Sequence, residues 1–352
     1  MRNNMAIIKG VGDFFGLDIG TTAVRAVQLS SNGNGRWTLR HYGYAPLDAK
    51  TAEASSVEAR HRLGEVIMTV VGQSGIKTKN VAVSLAANKT FVTVVDLPKV
   101  SDAELKSTIK YQIDEYIPMS IDEAKVDWSL LGQSLHDPSK QEVLLASVAE
   151  QYAEETLDFV EGLGFDVIAS EPESLAMIRS VRDPAAKNAQ VIVDIGESST
   201  NVAVVYGDQP RLVRTIPNGL STLVRAAVQN LSIQDDQARQ FILKFGLSRD
   251  KLEGQVVVAL DSTLEGFVSE INKSIKFFQT RCPSIPVGDI LVSGYASTIP
   301  GLPEYVGQMT NIPTALADPW RHVNVPAGDQ KLAAIRSEFT TAVGLAQRSG
   351  NA

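Results

Sequence analysis

Between Phe14 and Ala45 the hydrophobic residues come in three short runs separated by glycine-rich turns, a pattern that predicts three consecutive strands in a meander. The first run ends in Leu17-Asp18-Ile19-Gly20-Thr21-Thr22. The second is Ala23 to Leu29, and the third runs from Arg36 to Ala45 after a Ser30-to-Gly35 turn. From Ser55 to Ser74 the period lengthens. Val57, Leu63, Val66, Ile67, Val70 and Val71 fall on one side of an amphipathic helix closed by Gly75, and Asn80 to Leu85 follows as a buried strand. The three-strand opening then returns. Val191 to Asp194 runs into Ile195-Gly196-Glu197-Ser198-Ser199-Thr200, then Asn201 to Val205, a Gly207-Asp208 turn and Arg211 to Ile216. Two copies of one pattern, far apart in the chain, predict duplicated halves.

Between the copies the pattern changes. Phe91 to Pro98 is a strand closed by proline, and Ser101-Asp102-Ala103-Glu104 is a capping box starting a helix that runs to about Tyr116. Glu123 to Gly132 and Glu142 to Ala149 read as strands, and Glu150 to Leu163 as a helix ending at Gly164. This is a compact α+β unit inserted in the first half. Ser170-Glu171-Pro172-Glu173-Ser174-Leu175-Ala176 opens a further helix, and Pro184 to Asn188 reads as a linker. After the second meander, Leu220 to Gln279 is mostly helical with breaks near Gly246 and Gly254, while Gln255 to Leu260 fits helix or strand. Asp289 to Gly294 is a strand entering a glycine turn, Leu302 to Met309 a helix, and Glu338 to Gln347 a closing helix of small residues.

The 352 residues suit two lobes of about 150 residues or more. A 44% hydrophobic content fits a globular interior, and a net charge of −7 argues against general affinity for nucleic acid or anionic lipid. The single cysteine, Cys282, excludes an internal disulfide and fits a reducing cytosol. The four histidines show no ligand spacing, which argues against zinc. No apolar run reaches the roughly eighteen residues that span a bilayer, and Met1 to Gly12 has no secretory apolar core, so the chain is expected to be neither inserted nor exported.

The chemistry gathers at the two Asp-x-Gly turns. Glycine lets the backbone bend so that several amides point at one spot, a nest for phosphate oxygens. A carboxylate there repels phosphate directly, so Asp18 and Asp194 make sense as outer ligands of a Mg²⁺ that bridges phosphates. Ser293-Gly294-Tyr295-Ala296 places a glycine where a backbone approaches a flat ring or ribose. Glu270 and Lys273, three apart on one helix, share a face that suits an acid and a base bonding a ribose. An ordinary surface ion pair is the alternative for these two.

The order of these features resembles the actin, sugar-kinase and heat-shock ATPase superfamily. Within it the chain is most similar to the type IV pilus assembly protein PilM family. The more specific marks are Glu115-Tyr116-Ile117-Pro118, the Ile271-x-Lys273-Ser274-x-x-Phe277-Phe278 helix and the closing Thr341-Ala342-Val343-Gly344-Leu345-Ala346. The resemblance implies an α/β, two-lobed actin-like ATPase fold: duplicated ribonuclease-H-like lobes with an inserted α+β subdomain. It divides the chain into residues 1–76 (first lobe), 77–165 (insertion), 166–190 (first lobe with a connecting helix), 191–222 (second lobe), 223–285 (helical subdomain), 286–335 (second lobe) and 336–352 (a helix returning to the first lobe).

The same resemblance implies ATP and Mg²⁺ as cofactors. Gly20, Thr21, Thr22, Gly196, Ser198 and Ser199 would cradle phosphates, Asp18 and Asp194 would hold Mg²⁺ through water, and Glu270 and Lys273 would meet the ribose. Gly294 and Ala296 would line the adenosine pocket, narrowed by the Cβ of Ser293, and Glu171 would position attacking water. Glu197 is expected to face outward. With no Walker-type lysine loop, slow hydrolysis is the ceiling. The implied role is an adaptor at the cytoplasmic face of a pilus machine. Gated by nucleotide, with ATP closing the lobes and altering the peptide-binding face, it would bind the short N-terminal segment of a PilN-like membrane protein near the junction of first lobe and insertion, with further platform components, a motor ATPase and self-association compatible with it. An FtsA-like filament protein, a small-molecule kinase of the superfamily and a scaffold with a dead nucleotide site are the alternatives.

Overall fold

The computed structural model describes residues 12–33, 35–47, 56–101, 104–105, 107–109 and 115–348. The chain divides into two compact units, Met1–Ser180 with Asp318–Ala352, and Val181–Ala317.

The first unit opens with the predicted meander, β1 (Phe15–Ile19), β2 (Ala23–Ser31) and β3 (Trp37–Pro46), antiparallel throughout. Four consecutive residues of β1 are buried, so both faces of the sheet are covered and no inside-outside alternation shows in the sequence. Helix α1 (Val57–Ser74) starts where the Ser56 hydroxyl accepts the Ala59 N–H at 3.2 Å and stops at Gly75, whose φ is 84°. Ile67, Val70 and Val71 form its buried stripe, but Val57 is 80% exposed. At about 100° per residue, Val57 lies roughly a quarter-turn from the stripe's centre.

Strand β4 (Asn80–Leu85) runs parallel to β1, so it belongs to the first sheet and not to an insertion beginning at residue 77. The inserted sheet is β5 (Thr90–Pro98), β6 (Ala124–Gln133) and β7 (Lys140–Ala149), in the order β5-β7-β6. Its capping box forms. The Glu104 carboxylate accepts the Ser101 N–H at 2.9 Å and the Ser101 hydroxyl at 2.7 Å. Asp102, Ala103, residue 106 and residues 110–114 of that predicted helix lie outside the described residues. Leu105 and Ile109 pack with Leu97, Val143 and Leu145 on one face of this sheet.

Helix α2 (Glu150–Gly162) sends Val160 into the core of β1 and α1, and Phe165 joins it there, so the insertion is narrower than 77–165. Strand β8 (Asp166–Pro172) pairs parallel with β4 and edges the first sheet, followed by α3 (Glu173–Val181). Glu171 therefore ends a strand and does not open a helix. A residue before proline is held extended, which keeps Glu171 in the sheet.

The second unit repeats this plan. Strands β9 (Ala189–Ile195), β10 (Thr200–Tyr206) and β11 (Gln209–Ile216) form the meander, with Gly207 and Asp208 both at positive φ in its two-residue turn. Helices α4 (Leu220–Leu231), α5 (Asp235–Phe245) and α6 (Gln255–Arg281) follow, which resolves Gln255 to Leu260 as helix. Then come β12 (Val287–Gly294), a short turn of 3-10 helix Tyr295–Ser297, α7 (Leu302–Thr310) and β13 (Thr314–Leu316). The sheet order β11-β10-β9-β12-β13 matches β3-β2-β1-β4-β8 strand for strand, antiparallel within each meander and parallel beyond it.

Residues 318–335, read from sequence as second lobe, belong to the first unit. Strand β14 (Val323–Asn324) lies beside β3, α8 (Gln330–Ile335) follows, and Trp320, Val323 and Leu332 pack with Phe339. Helix α9 (Thr340–Ala346) is buried at every residue against β1, β2 and β4. Two glycines bring it to backbone contact with its neighbours. A Cβ on Gly16 would meet the Ala342 carbonyl oxygen at 2.6 Å, and one on Gly344 would overlap that of Ala176.

Candidate functional site

The two Asp-x-Gly hairpins have the same internal bonding. The Gly20 N–H donates to the Ala23 carbonyl at 3.1 Å, and the Gly196 N–H donates to the Ser199 carbonyl at 2.9 Å. Asp18 sits opposite Arg25 across its hairpin, as Asp194 sits opposite Asn201. Thr21, Thr22, Ser198 and Ser199 are half-buried at the bends. A Cβ on Gly196 would press the Ser199 carbonyl at 2.9 Å, and one on Gly20 would stand 3.0 Å from the Arg25 Nη1. Each unit thus gathers its own carboxylate, glycine and hydroxyls.

The two carboxylates are engaged differently. Asp18 is 5% exposed; Ser84 Oγ donates to its Oδ1 at 3.0 Å and Arg25 Nη1 to its Oδ2 at 3.2 Å. Burial pushes the Asp18 carboxyl up, against the pull of Arg25 and Ser84. Arg25 also donates through Nη2 to Glu338 at 2.8 Å, and its buried Nε has no partner among the described residues. Sequence reasoning missed Arg25. Its signal was position, since the meander places the residue seven after Asp18 directly across from it.

In the second unit, Ser293 Oγ donates to Asp194 Oδ1 at 2.5 Å. Ser293 is fully buried, with its hydroxyl held on the Asp194 carboxylate. Gly294 has a φ of 63°, and a Cβ there would overlap the Ile195 carbonyl oxygen, so β9 alone requires glycine at this point. Ala296 is buried within the unit.

Glu197 does not face outward. It is 8% exposed, Arg239 donates to it at 3.0 and 2.5 Å, and the Tyr295 hydroxyl donates at 2.9 Å. Its charge is answered locally by the Arg239 guanidinium. The Leu220 and Ser221 N–H groups donate to the Gly196 and Glu197 carbonyls, so α4 points its positive end at the turn. Glu270 takes the Lys273 ammonium at 2.5 Å and Arg214 at 3.4 Å. It also lines a cavity of about 360 Å³ with Asn218, Gly219, Thr222, Ser262 and Phe267. Gly219 abuts the Gly196 carbonyl, so this cavity adjoins the second turn.

Glu171 lies elsewhere in the first unit and is committed. Arg179 donates to both its oxygens at 2.5 and 2.7 Å, and Arg348 adds a third bond at 2.6 Å. Burial would push its carboxyl up, but Arg179 and Arg348 together hold it below the usual glutamate range. A carboxylate 3% exposed and bound by two guanidinium groups has no free face to orient water. The water-positioning role drawn from the sequence does not fit this geometry.

Glu171 and Arg348 instead form the buried end of a pocket of about 240 Å³. Leu85, Ala146, Val148, Ala153, Leu157, Pro172 and Leu175 supply apolar walls, and the exposed Lys125 and Asp127 stand at the rim. The pocket borders β6 and β8, each the edge strand of its sheet.

Among the described residues no three His, Cys, Asp or Glu side chains could together hold a metal ion. A Mg²⁺ delivered with a nucleotide needs only one or two carboxylates beside the phosphates. Asp194, held by Ser293, and Asp18, held by Ser84 and Arg25, each stand beside a glycine turn with hydroxyl residues and fit that requirement. Among the described residues no helix is long and apolar enough to cross a membrane.

A family model described as type IV pilus assembly protein PilM matches residues 16–350. Among solved structures, the PilM-PilN type IV pilus biogenesis complex contains a chain 20% identical to this one, with a TM-score of 0.80 over 97% of this chain and 99% of that one. The ethanolamine utilization protein EutJ from Carboxydothermus hydrogenoformans is 16% identical, with a TM-score of 0.55 over 96% and 90%. MreB 5 of Spiroplasma citri bound to AMPPNP is 11% identical, with a TM-score of 0.52 over 94% of each chain. The two-unit topology is the actin-like fold that these structures share.

Proposed function

Because the chain belongs to the type IV pilus assembly protein PilM family, we propose that it is a nucleotide-binding adaptor of the pilus assembly platform. In this reading it binds ATP with Mg²⁺ at its glycine turns and takes the cytoplasmic N-terminal segment of a PilN-like protein into the pocket between β6 and β8. The observation that carries the nucleotide half is the matched pair of hairpins, each with its carboxylate and glycine in the same register and hydroxyl residues just beyond the glycine. Such turns supply amide and hydroxyl donors for phosphates, and Asp194 supplies the water-held Mg²⁺ contact. Glu270, which holds Lys273, lines the adjoining cavity, and the pair would meet the ribose. Bound Mg²⁺ would neutralise phosphate charge. With Glu171 fully ion-paired, hydrolysis is slow or absent.

The pocket suits an extended segment that is apolar with some hydrogen-bonding capacity. Its walls are aliphatic, and the strand edges beside it can pair with a peptide backbone. Docking there would hold the protein at the inner face of the membrane through its partner. Filling the pocket tests this. Ala146→Trp should weaken binding of a synthetic PilN N-terminal peptide at least tenfold in a calorimetric titration while leaving the thermal unfolding midpoint within a few degrees. Unchanged affinity would place the docking surface elsewhere.

A second reading, a scaffold that binds its partner without nucleotide, draws on Asp18. Its carboxylate already has a counter-ion in Arg25, so the first turn is electrostatically complete by itself. Failure of Mg-ATP to bind the intact chain would favour it.

A further inference from the structure

One short segment touches both proposed sites of the first unit. Glu338, in the single turn of 3-10 helix Arg336–Phe339, accepts Arg25 Nη2 at 2.8 Å, and the same guanidinium holds Asp18 of the first glycine turn at 3.2 Å. Ten residues on, Arg348 donates to Glu171 at 2.6 Å, and that pair forms the buried end of the apolar pocket. Between these ends α9 rises roughly 1.5 Å per residue, so the segment reaches about 15 Å from the turn to the pocket.

The segment has no slack. All of α9 is buried, with Gly16 against the Ala342 carbonyl and Gly344 against that of Ala176. Gly16 is two residues before Asp18 on β1. Along α9, Ser180 Oγ donates to the Thr340 carbonyl at 2.7 Å and Arg179, itself on Glu171, donates to the Gly344 carbonyl at 2.8 Å. Packed interiors transmit small displacements because they have no room to absorb them.

We propose that residues 336–348 are the element that couples the first glycine turn to the partner pocket, with Arg25 as the group that changes partners. Arg25 serves two carboxylates, and its Nε is buried and unbonded among the described residues. A phosphate anion at the Gly20 turn is a third claimant on this cation, 3.0 Å from the Gly20 Cβ position. Drawing the guanidinium toward phosphate weakens its bond to Glu338. The released segment then shifts as a body, and Arg348 moves with it against Glu171. This rests on the proposed binding of nucleotide at the turns and of peptide in the pocket.

The test uses the full chain and four titrations: Mg-ATP alone, the PilN N-terminal peptide alone, and each in the presence of the other. Coupling of this kind changes affinity by about fivefold or more, by the same factor in both directions. Glu338→Gln keeps the shape and removes the charge that Arg25 must leave. The variant should bind each ligand alone within about threefold of wild type while the coupling factor falls to within twofold of unity. Phe339→Leu loosens the same segment without touching either ion pair, and it too should reduce the factor. Wild-type binding of both ligands with no coupling overturns the proposal while leaving the two sites intact, and so does a Glu338→Gln chain with undiminished coupling. Failure of either ligand to bind wild type removes the reading beneath it, and the coupling role falls with that reading.

Discussion

Glu171 shows how much a residue's meaning depends on partners that sequence spacing does not reveal. Its place before Pro172 looks like a site glutamate, yet Arg179 is eight residues away and Arg348 is 177 residues away, and together they lock it. Because its pKa is lowered in the folded chain, the ion cluster stabilises the fold above the unfolded glutamate pKa of about 4.3, and that contribution is lost as pH falls below it. Glu171→Gln should cost about 3–5 kcal/mol at pH 7, since it leaves two arginines without their counter-ion. It should also flatten the pH dependence of urea unfolding below pH 5. An unchanged acid limb in the variant would show that the cluster is not ionised as described. Arg25 and Glu338 repeat the lesson, being 313 residues apart, whereas Asp18 and Asp194 were legible because their turn chemistry is local.

At the level of elements, most of the chain was readable because its punctuation is local. Gly75, the Ser101–Glu104 box and the Gly207-Asp208 turn all act where their sequence signals predicted. What was not readable was membership. Asn80 to Leu85 joins the first sheet and not the insertion, and residues 318–335 belong to the first unit, because strand pairing and core contacts are set by tertiary packing. Gly344 in the closing small-residue helix marks a backbone contact with Ala176 that no periodicity exposes. Gly344→Ala should destabilise the first unit by about 3 kcal/mol, an overpacking cost with nowhere to relax, measured by denaturant unfolding. A neutral substitution there would mean that α9 can move away from α3 at little cost.

Over the whole molecule, duplication is the organising fact. Two sheets of the same order and polarity each place an Asp-x-Gly hairpin between the first two strands of a meander. The repeat was visible in the sequence as two copies of one hydrophobic pattern. The partners were not, since Ser84 and Arg25 hold Asp18 and Ser293 holds Asp194 from elements distant in the chain or across the hairpin. The most direct measurement is a calorimetric titration of the full chain with Mg-ATP, repeated with Asp194→Ala. Micromolar binding by wild type, weakened at least tenfold (about 1.4 kcal/mol) in the variant, is the predicted result. No binding by wild type, or equal binding by both, would contradict a nucleotide site at these turns.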